Sequence, residues 1–292
     1  MNREPEIGGV IWSSARCLDK EVDFGVHREA ILEECAVSIV INGAVYGVMM
    51  LTPQDLEDFV LGFLWTEHVL HSPEDIVACE REQSADGQAL YLQLRTEAAM
   101  RADARRRCLP GGSACGLCGV PNFSGLQPFP PIRDGGRISC TLIEQSLARL
   151  CAEQQLNHHT GTAHAAGIGT EDAIIVREDI GRHNAVDKAI GAALRCGWSG
   201  GDARLLTVSS RLSFEIALKA LSFGIPTVVA VSGVSSLAIQ LAERCGLTLI
   251  GYARDGRLTI YANAWRILRS ASLRAEPPGP SFDLEIPRCA GD

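Results

Sequence analysis

The sequence predicts an α/β protein with a layered, mainly parallel sheet and a smaller N-terminal α+β subdomain. Short apolar runs such as PTVVAV (226–231) alternate with amphipathic helical segments in the C-terminal half, a pattern typical of parallel strands covered on both faces. Near the N-terminus, Asn42-Gly43 separates two apolar runs, which predicts an antiparallel hairpin. A Gly- and Pro-rich stretch between the two halves predicts a subdomain boundary.

The N-terminal half contains signals for a hairpin, a helix and one further strand. The hairpin joins AVSIVI (36–41) to AVYGVMML (44–51). Thr52 then supplies a capping hydroxyl before a proline, which predicts a helix running to about Leu70. QALYLQLR (88–95) predicts another strand.

The C-terminal half predicts alternating helices and strands around one loop, NHHTGTAHAAGIG (157–169). Helices are predicted at about 142–156, 184–195, 213–224 and 236–246, and strands at 173–176, 204–209, 226–231 and 247–253. Because the carboxyl ends of parallel strands share one sheet edge, a ligand site is expected at that edge.

The predicted organisation has five segments. They are an irregular N-terminal arm (1–34), the N-terminal α+β subdomain (35–100), a mobile loop (101–140), the C-terminal α/β subdomain (141–269) and a tail (270–292). The loop prediction rests on the many Gly and Pro residues, because so long a loop in a compact domain is usually functional or disordered.

Composition restricts the class of protein. The 292 residues are 46% hydrophobic and 21% charged, which is the balance of a soluble globular protein. The 27 basic and 35 acidic residues give a net charge of −8, which argues against a nucleic-acid or membrane partner, since such binding depends on excess Lys and Arg. Eleven scattered cysteines, with no apolar leader or membrane-length segment, predict a reduced, cytoplasmic protein.

The pair Cys115 and Cys118, flanked by glycines in CGLCG, is the strongest chemical signal. Such a pair is a redox couple, half of a zinc site, a sulfur-transfer centre in which one thiolate holds a persulfide, or an exposed pair without chemistry. A redox couple of the thioredoxin type would follow a strand at a helix N-terminus, whereas a Gly-flanked loop suits a sulfur carrier. Zinc would need two more ligands. The candidates are Cys108, Cys140, His158, His159 and His164.

The segment REDIGRHNAVDKAIG (177–191) predicts a helix start that binds an anion. Arg182 and His183 stand at that start, where free backbone N–H groups favour negative charge. Side chains four positions apart on one helix can touch. The two such pairs are His183 with Asp187 and Asn184 with Lys188. The alternative is a capped, salt-bridged surface helix.

Two further segments are candidates for phosphate contacts at the same sheet edge. Ser209 and Arg211 follow a predicted strand, and a hydroxyl with a guanidinium at such a junction suits a phosphate, although serine caps are common there. The Asp-Gly dipeptide at 255–256 predicts a tight turn that sets Arg254 opposite Arg257. Opposed like charges are unfavourable, so the two guanidiniums either bind an anion or are solvated.

Together these motifs resemble the family of formate dehydrogenase accessory sulfurtransferases, the FdhD sulfur carriers. The shared segments are CGLCG, TGTAHAA, VREDIGRHNAVDKAIG, SSRLSFEIALKA, GIPTVVAVS and IYAN. With the hairpin and first helix, they run in order from about Ala36 to Asn263. The resemblance implies a cytidine-deaminase-like fold and a homodimer, with Cys115 as the persulfide-bearing residue and Cys118 as its partner.

The resemblance also implies a reaction and its partners. A cysteine desulfurase would load sulfur onto the loop cysteine, and the protein would pass that sulfur to the molybdenum bis(molybdopterin guanine dinucleotide) cofactor, before the cofactor enters the formate dehydrogenase apoenzyme. The cofactor is then a bound substrate, and no stably bound metal is expected. The residues expected at the cofactor are Tyr252, Ala253, Arg254, Asp255, Gly256, Arg257, Arg211, Ser209, His183 and Arg182. Two alternatives are a cofactor chaperone without sulfur transfer and a zinc-dependent hydrolase or deaminase.

Overall fold

The computed structural model describes residues 7–18, 23–106, 132 and 136–268. The strands are β1 (Val10–Leu18), β2 (Asp23–Leu32), β3 (Cys35–Ile41), β4 (Ala44–Leu51), β5 (Ile76–Ser84), β6 (Gly87–Leu94), β7 (Ile138–Ser139), β8 (His164–Gly169), β9 (Ile174–Asp179), β10 (Leu205–Val208), β11 (Thr227–Ala230), β12 (Thr248–Arg254), β13 (Arg257–Ala262) and β14 (Ile267–Leu268). The α-helices are α1 (Leu56–Thr66), α2 (Thr96–Arg106), α3 (Cys140–Ala152), α4 (Gln155–Thr160), α5 (Arg182–Arg195), α6 (Phe214–Phe223) and α7 (Ser236–Cys245).

The N-terminal subdomain is built on the predicted hairpin. β3 and β4 pair antiparallel across Asn42 and Gly43, whose φ angles of 47° and 83° fit the predicted tight turn. β6 pairs parallel with β3 and antiparallel with β5, giving the order β4-β3-β6-β5. One face of this sheet shares a core cluster with α1, in which Ile39, Leu90 and Phe59 are buried.

The predicted helix forms as α1, but Thr52 does not cap it. The residue before the helix is Asp55, with a φ of 52°. Thr52 is fully buried; its N–H donates to Asp179 Oδ2 at 3.0 Å, and its Oγ1 accepts from the Ile180 N–H at 3.2 Å. The capping prediction is wrong because Thr52 bonds to the C-terminal subdomain and so connects the two subdomains.

The prediction of an irregular arm over 1–34 is wrong for most of that segment. β1 and β2 form an antiparallel ribbon, with Val10 opposite Leu32 at its base. The segments VIWSSARCL and DFGVHREAIL contain many polar residues and little apolar alternation, so the strand signal is weak. The base of the ribbon packs on α4, where Leu32 is buried beside Leu156.

The C-terminal subdomain has a mixed sheet rather than the mainly parallel one predicted. Its order is β13-β12-β11-β10-β8-β9. β10, β11 and β12 are parallel, while the β12–β13, β10–β8 and β8–β9 pairs are antiparallel. The loop predicted at 157–169 contains β8. The sequence does not predict this strand, because the small residues of HAAGIG lack the apolar pattern of a strand. The described fold is therefore mixed α/β with several sheets.

The two faces of this large sheet carry different helices. Val228 and Val229 are neighbours on β11 but belong to different core clusters, because successive strand residues point to opposite faces. Val228 shares its cluster with α1, α5, α6 and α7, and Val229 shares its cluster with α3. The single helix predicted at 142–156 is split into α3 and α4. α3 and α4 therefore stand apart from the main helical layer.

Helix α1 crosses α5 at two glycines. A Cβ on Gly62 would lie 1.8 Å from the Asp187 carbonyl oxygen, and a Cβ on Gly191 would lie 1.8 Å from the Asp58 carbonyl oxygen. Any side chain at either position would force the helices apart, so the close approach requires glycine. This crossing fixes the N-terminal subdomain onto the helix that carries the RHNAVDK motif.

The segment predicted as a mobile loop at 101–140 has regular ends. α2 extends to Arg106, and β7 begins at Ile138. Cys115 and Cys118 lie outside the described residues, as does the tail predicted at 270–292.

Candidate functional site

A cavity of about 590 Å³ opens at the carboxyl ends of β10, β11 and β12. This is the sheet edge at which the sequence predicts a ligand. Its walls come from the ends of these strands, from the β12–β13 hairpin and from α3 and α4. The predicted site residues that line it are Ser209, Ala253, Arg254, Asp255, Gly256 and Arg257.

The β12–β13 hairpin places two guanidinium groups at the cavity. Arg254 and Arg257 are directly opposed in the strand register, as predicted. The turn between them is formed by Asp255 and Gly256, with φ angles of 52° and 72°, and it matches the type I′ turn that an Asp-Gly pair favours. Neither arginine has an ion-pair partner among the described residues. Their mutual repulsion is therefore left for a ligand or solvent to compensate.

Ser209 adds a hydroxyl to the same cavity. Its Oγ accepts a hydrogen bond from the Ala165 N–H at 2.9 Å, and its own N–H donates to the Ala165 carbonyl at 3.0 Å. These bonds fix the side chain at the end of β10 while its hydroxyl proton stays free to donate. Ser209 is thus a positioned hydrogen-bond donor in the cavity that the arginine pair also lines.

Four of the predicted residues do not line the cavity, and two of these are Tyr252 and Arg211. Tyr252 is 46% exposed and has a φ of 50°, and its N–H donates to the Ser232 carbonyl at 3.0 Å. Arg211 is exposed on the loop after β10, where Leu212 pairs with Val234. This bridge holds the loop, but the cavity is formed without either side chain.

The wall formed by α3 and α4 was missed from the sequence. Its polar members include Glu144, Cys151, Gln154 and Asn157. Asn157 Nδ2 donates to Gln154 Oε1 at 3.2 Å, and Gln154 Nε2 donates to the Leu150 carbonyl at 3.0 Å. The only sequence signal for this wall is the helical spacing that puts Glu144 and Cys151 on one face of a helix. By itself this spacing indicates nothing more than an amphipathic helix.

Comparisons with known proteins match most of this chain to one family. The model of the FdhD/NarQ family matches residues 32–268. The chain belongs to the FdhD/NarQ family.

The relatives of this FdhD/NarQ chain have informative names. The sulfur carrier protein FdhD of Cupriavidus necator is 38% identical over 84% of this chain and 86% of its own length. The protein of the same name from Xanthomonas campestris pv. campestris is 38% identical over 82% of this chain and 86% of its own length. A crystal structure of a formate dehydrogenase accessory protein from Desulfotalea psychrophila has a TM-score of 0.70 and 25% identity, covering 89% of this chain and 99% of that one.

The RHNAVDK motif of this FdhD/NarQ member forms a buried network and not the two predicted side-chain pairs. Lys188 Nζ lies 2.7 Å from Asp179 Oδ2, and both side chains are inaccessible to solvent. Asn184 Nδ2 donates to Asp179 Oδ1 at 3.0 Å. Asp187 accepts from Lys219 Nζ at 2.7 and 2.8 Å. The alternative of a salt-bridged surface helix is also wrong, because most of α5 is buried.

Arg182 and His183 lie at the start of α5, as predicted, but are not part of the cavity lining. His183 Nε2 is buried and has no hydrogen-bond partner among the described residues. Burial, with the nearby charges of Arg182 and Lys219, lowers the pKa of His183 to about 4. The imidazole is therefore neutral at pH 7, and it brings no positive charge to a phosphate.

The zinc alternative finds no support in the described part of the chain. No three His, Cys, Asp or Glu side chains within it converge to hold a metal ion. Of the ligands that this alternative requires, Cys108, Cys115 and Cys118 lie outside it. No helix among the described residues is both long and apolar enough to cross a membrane.

Proposed function

We propose that this protein is a sulfur carrier in formate dehydrogenase maturation. It accepts sulfur from a cysteine desulfurase and passes it to the molybdenum bis(molybdopterin guanine dinucleotide) cofactor, which is its bound substrate. The relatives named sulfur carrier protein FdhD support the carrier role. The reaction is proposed to occur in the cytoplasm, in a homodimer whose fold is related to the cytidine deaminases.

The observation that carries the binding half of this proposal is the arginine pair at the cavity, which has no ion-pair partner among the described residues. Arg254 and Arg257 present two positive charges opposite each other on the hairpin, and guanidinium forks bind phosphate oxygens with two hydrogen bonds each. A cavity of about 590 Å³ is the size of a small-ligand pocket. Glu144 and Asp255 add carboxylates at the cavity, which can accept hydrogen bonds from the N–H groups of guanine. The residues therefore fit a guanine nucleotide with a pyrophosphate.

The sulfur-transfer half of the proposal uses Cys115 and Cys118. The Cys115 thiolate attacks the terminal sulfur of the persulfide on the desulfurase. A new S–S bond forms on Cys115, the donor S–S bond breaks, and the donor cysteine leaves as a thiolate. No external oxidant is needed, because the sulfur atom is transferred at its existing oxidation level. Cys118 either takes over the terminal sulfur, with Cys115 leaving as a thiolate, or attacks the Cys115 sulfur, which forms the Cys115–Cys118 disulfide and releases the terminal sulfur as sulfide.

Mass spectrometry of the loop peptide tests this step. The full-length protein is incubated with cysteine desulfurase and cysteine, and the peptide should gain the mass of one sulfur atom. Cys115→Ala should abolish this gain and the activation of formate dehydrogenase. Cys196→Ala is the matched control, since Cys196 is an exposed free cysteine outside the motif. An unmodified peptide in the unaltered protein, or full formate dehydrogenase activity with Cys115→Ala, would refute the carrier mechanism.

A cofactor chaperone is the second candidate, because the proposed nucleotide site in the cavity does not involve the loop thiols. A chaperone would bind the guanine nucleotide yet tolerate the loss of both loop thiols. Complementation of a strain lacking this protein with Cys115→Ala separates the two functions, because only a chaperone would restore formate dehydrogenase.

A further inference from the structure

Glu178 is a buried carboxylate that joins β9 to α4. It is 8% exposed and lies at the end of β9, outside the cavity. Its Oε2 accepts from the Leu156 N–H at 2.8 Å, and its Oε1 accepts from the Asn157 N–H at 2.9 Å. Each carboxylate oxygen therefore holds one of the free backbone donors in the first turn of α4.

Helix α4 depends on such a connection. It contains six residues, and isolated helices of this length are not stable in water. Its apolar anchor is Leu156, which is 2% exposed against the base of the β1–β2 ribbon. Leu156 is the buried residue of α4, and apolar packing has no directional preference of its own. The two bonds to Glu178 are directional, and they constrain the orientation of the first turn of α4.

That orientation decides where the cavity wall lies. Gln154 and Asn157 flank the α4 turn that Glu178 holds, and both line the cavity. Asn157 provides the link directly, because its backbone N–H binds Glu178 while its side chain belongs to the wall.

Glu178 is buried at an energetic cost. Burial raises the pKa of its carboxyl, although the two amide donors, His158 and Lys188 all act in the opposite direction. A glutamine of the same shape would avoid that cost, but it would keep one acceptor oxygen. The carboxylate is thus the side chain that can bind both amides.

We infer that Glu178 is a positioning residue for the nucleotide cavity, which it serves by fixing α4 and the wall side chains Gln154 and Asn157. This inference rests on the proposed function, since it assigns Glu178 to the cavity in which the guanine nucleotide would bind. Glu178 touches no ligand itself. Its neighbour Asp179 binds Thr52 and Lys188 instead, so the two adjacent carboxylates hold different parts of the molecule.

The test compares Glu178→Gln with Glu153→Gln in the full-length protein. Glu153 lies three residues before Leu156, pairs with Arg149 on the surface and does not line the cavity. GDP binding is measured by calorimetry, backbone amide exchange by mass spectrometry, and persulfide loading of Cys115 by the assay above. Glu178→Gln should weaken GDP binding about three- to tenfold, raise exchange in α4 alone, and leave persulfide loading unchanged.

The outcomes separate this inference from a general loss of structure and from the proposed function. Unchanged GDP affinity or unchanged exchange in α4 would overturn the role of Glu178. A parallel loss of GDP binding, persulfide loading and melting temperature would reduce that role to fold stability and would also overturn it. Failure of the unaltered protein to bind GDP would refute the cavity assignment itself, and Glu178 would lose its role with it.

Discussion

The buried motif on α5 and the hairpin at the cavity both carry charged side chains, but the fates of those charges differ. Lys188 and Asp179 are inaccessible to solvent and pair with each other at 2.7 Å. Arg254 and Arg257 are exposed, face each other and have no ion-pair partner among the described residues. The charged side chains of the α5 motif therefore stabilise the fold. The two arginines of the hairpin leave positive charge available for a ligand.

Topology explains this difference. α5 is packed between the large sheet and α1, and the glycine crossing at Gly62 and Gly191 leaves no space for water. Buried charged side chains on α5 must then find partners inside the protein, because an unpaired buried charge is very costly. The β12–β13 hairpin ends at the surface, where water solvates its charges, so that they need no protein partner. An unpartnered charge is a better sign of a ligand site than a dense charged motif.

Removing Lys188 should have the largest effect on stability. Lys188→Met leaves the Asp179 carboxylate buried without its cation, and breaking such a pair costs about 3–5 kcal/mol. The free energy of unfolding, measured by urea denaturation, should fall by that amount. Arg204→Met is the control, since the Arg204–Glu171 pair is partly exposed and should contribute less than about 1 kcal/mol. Equal losses in the two variants would contradict the contrast between buried and exposed charge.

The arginine pair should show the opposite behaviour. Arg254→Ala and Arg257→Ala should each weaken GDP binding about tenfold or more, since hydrogen bonds to charged groups contribute about 1.5–3 kcal/mol. Stability should stay constant or rise by up to about 1 kcal/mol, because two opposed like charges are separated. Calorimetry and urea denaturation measure the two effects. Arg211→Ala is the control outside the cavity lining, and an equal loss of GDP affinity there would refute the assignment.

The predictions that held depend on local signals. The Asn-Gly and Asp-Gly turns fixed two hairpins, because few dipeptides tolerate those φ angles. The Arg254–Arg257 opposition followed directly from one of these turns. The position of Ser209 at the cavity follows from the end of a parallel strand, which marks the sheet edge, while its role in binding stays a prediction.

The predictions that failed depend on non-local contacts. Thr52 has the sequence of a helix cap, but its partners lie more than a hundred residues away. The formation of β8 within a predicted loop, and the cavity wall on α3 and α4, depend on which elements meet in space. Periodicity within one segment reports burial of a face. It does not identify the element that covers that face.

Substitution of His183 should have the smallest effect on ligand binding. Its titration tests whether His183, unlike the arginines of the β12–β13 hairpin, lacks a positive charge for the ligand. Its pKa is lowered to about 4 by burial and neighbouring charge, so nuclear magnetic resonance should find its ring neutral at pH 7. His183→Asn should then change GDP affinity at pH 7 by less than about twofold. A tenfold loss would show that the start of α5 contacts the ligand after all.

The same residue should influence how stability depends on pH. Between pH 6.5 and about 4, the unfolded chain binds a proton at His183 that the folded chain does not, so stability falls as pH is lowered through this window. His164, whose pKa burial also lowers, acts in the same direction. His183→Asn should therefore reduce the slope of unfolding free energy against pH without removing it. An unchanged slope would mean that the fold does not lower the pKa of His183, and the start of α5 would then be a second candidate for binding phosphate.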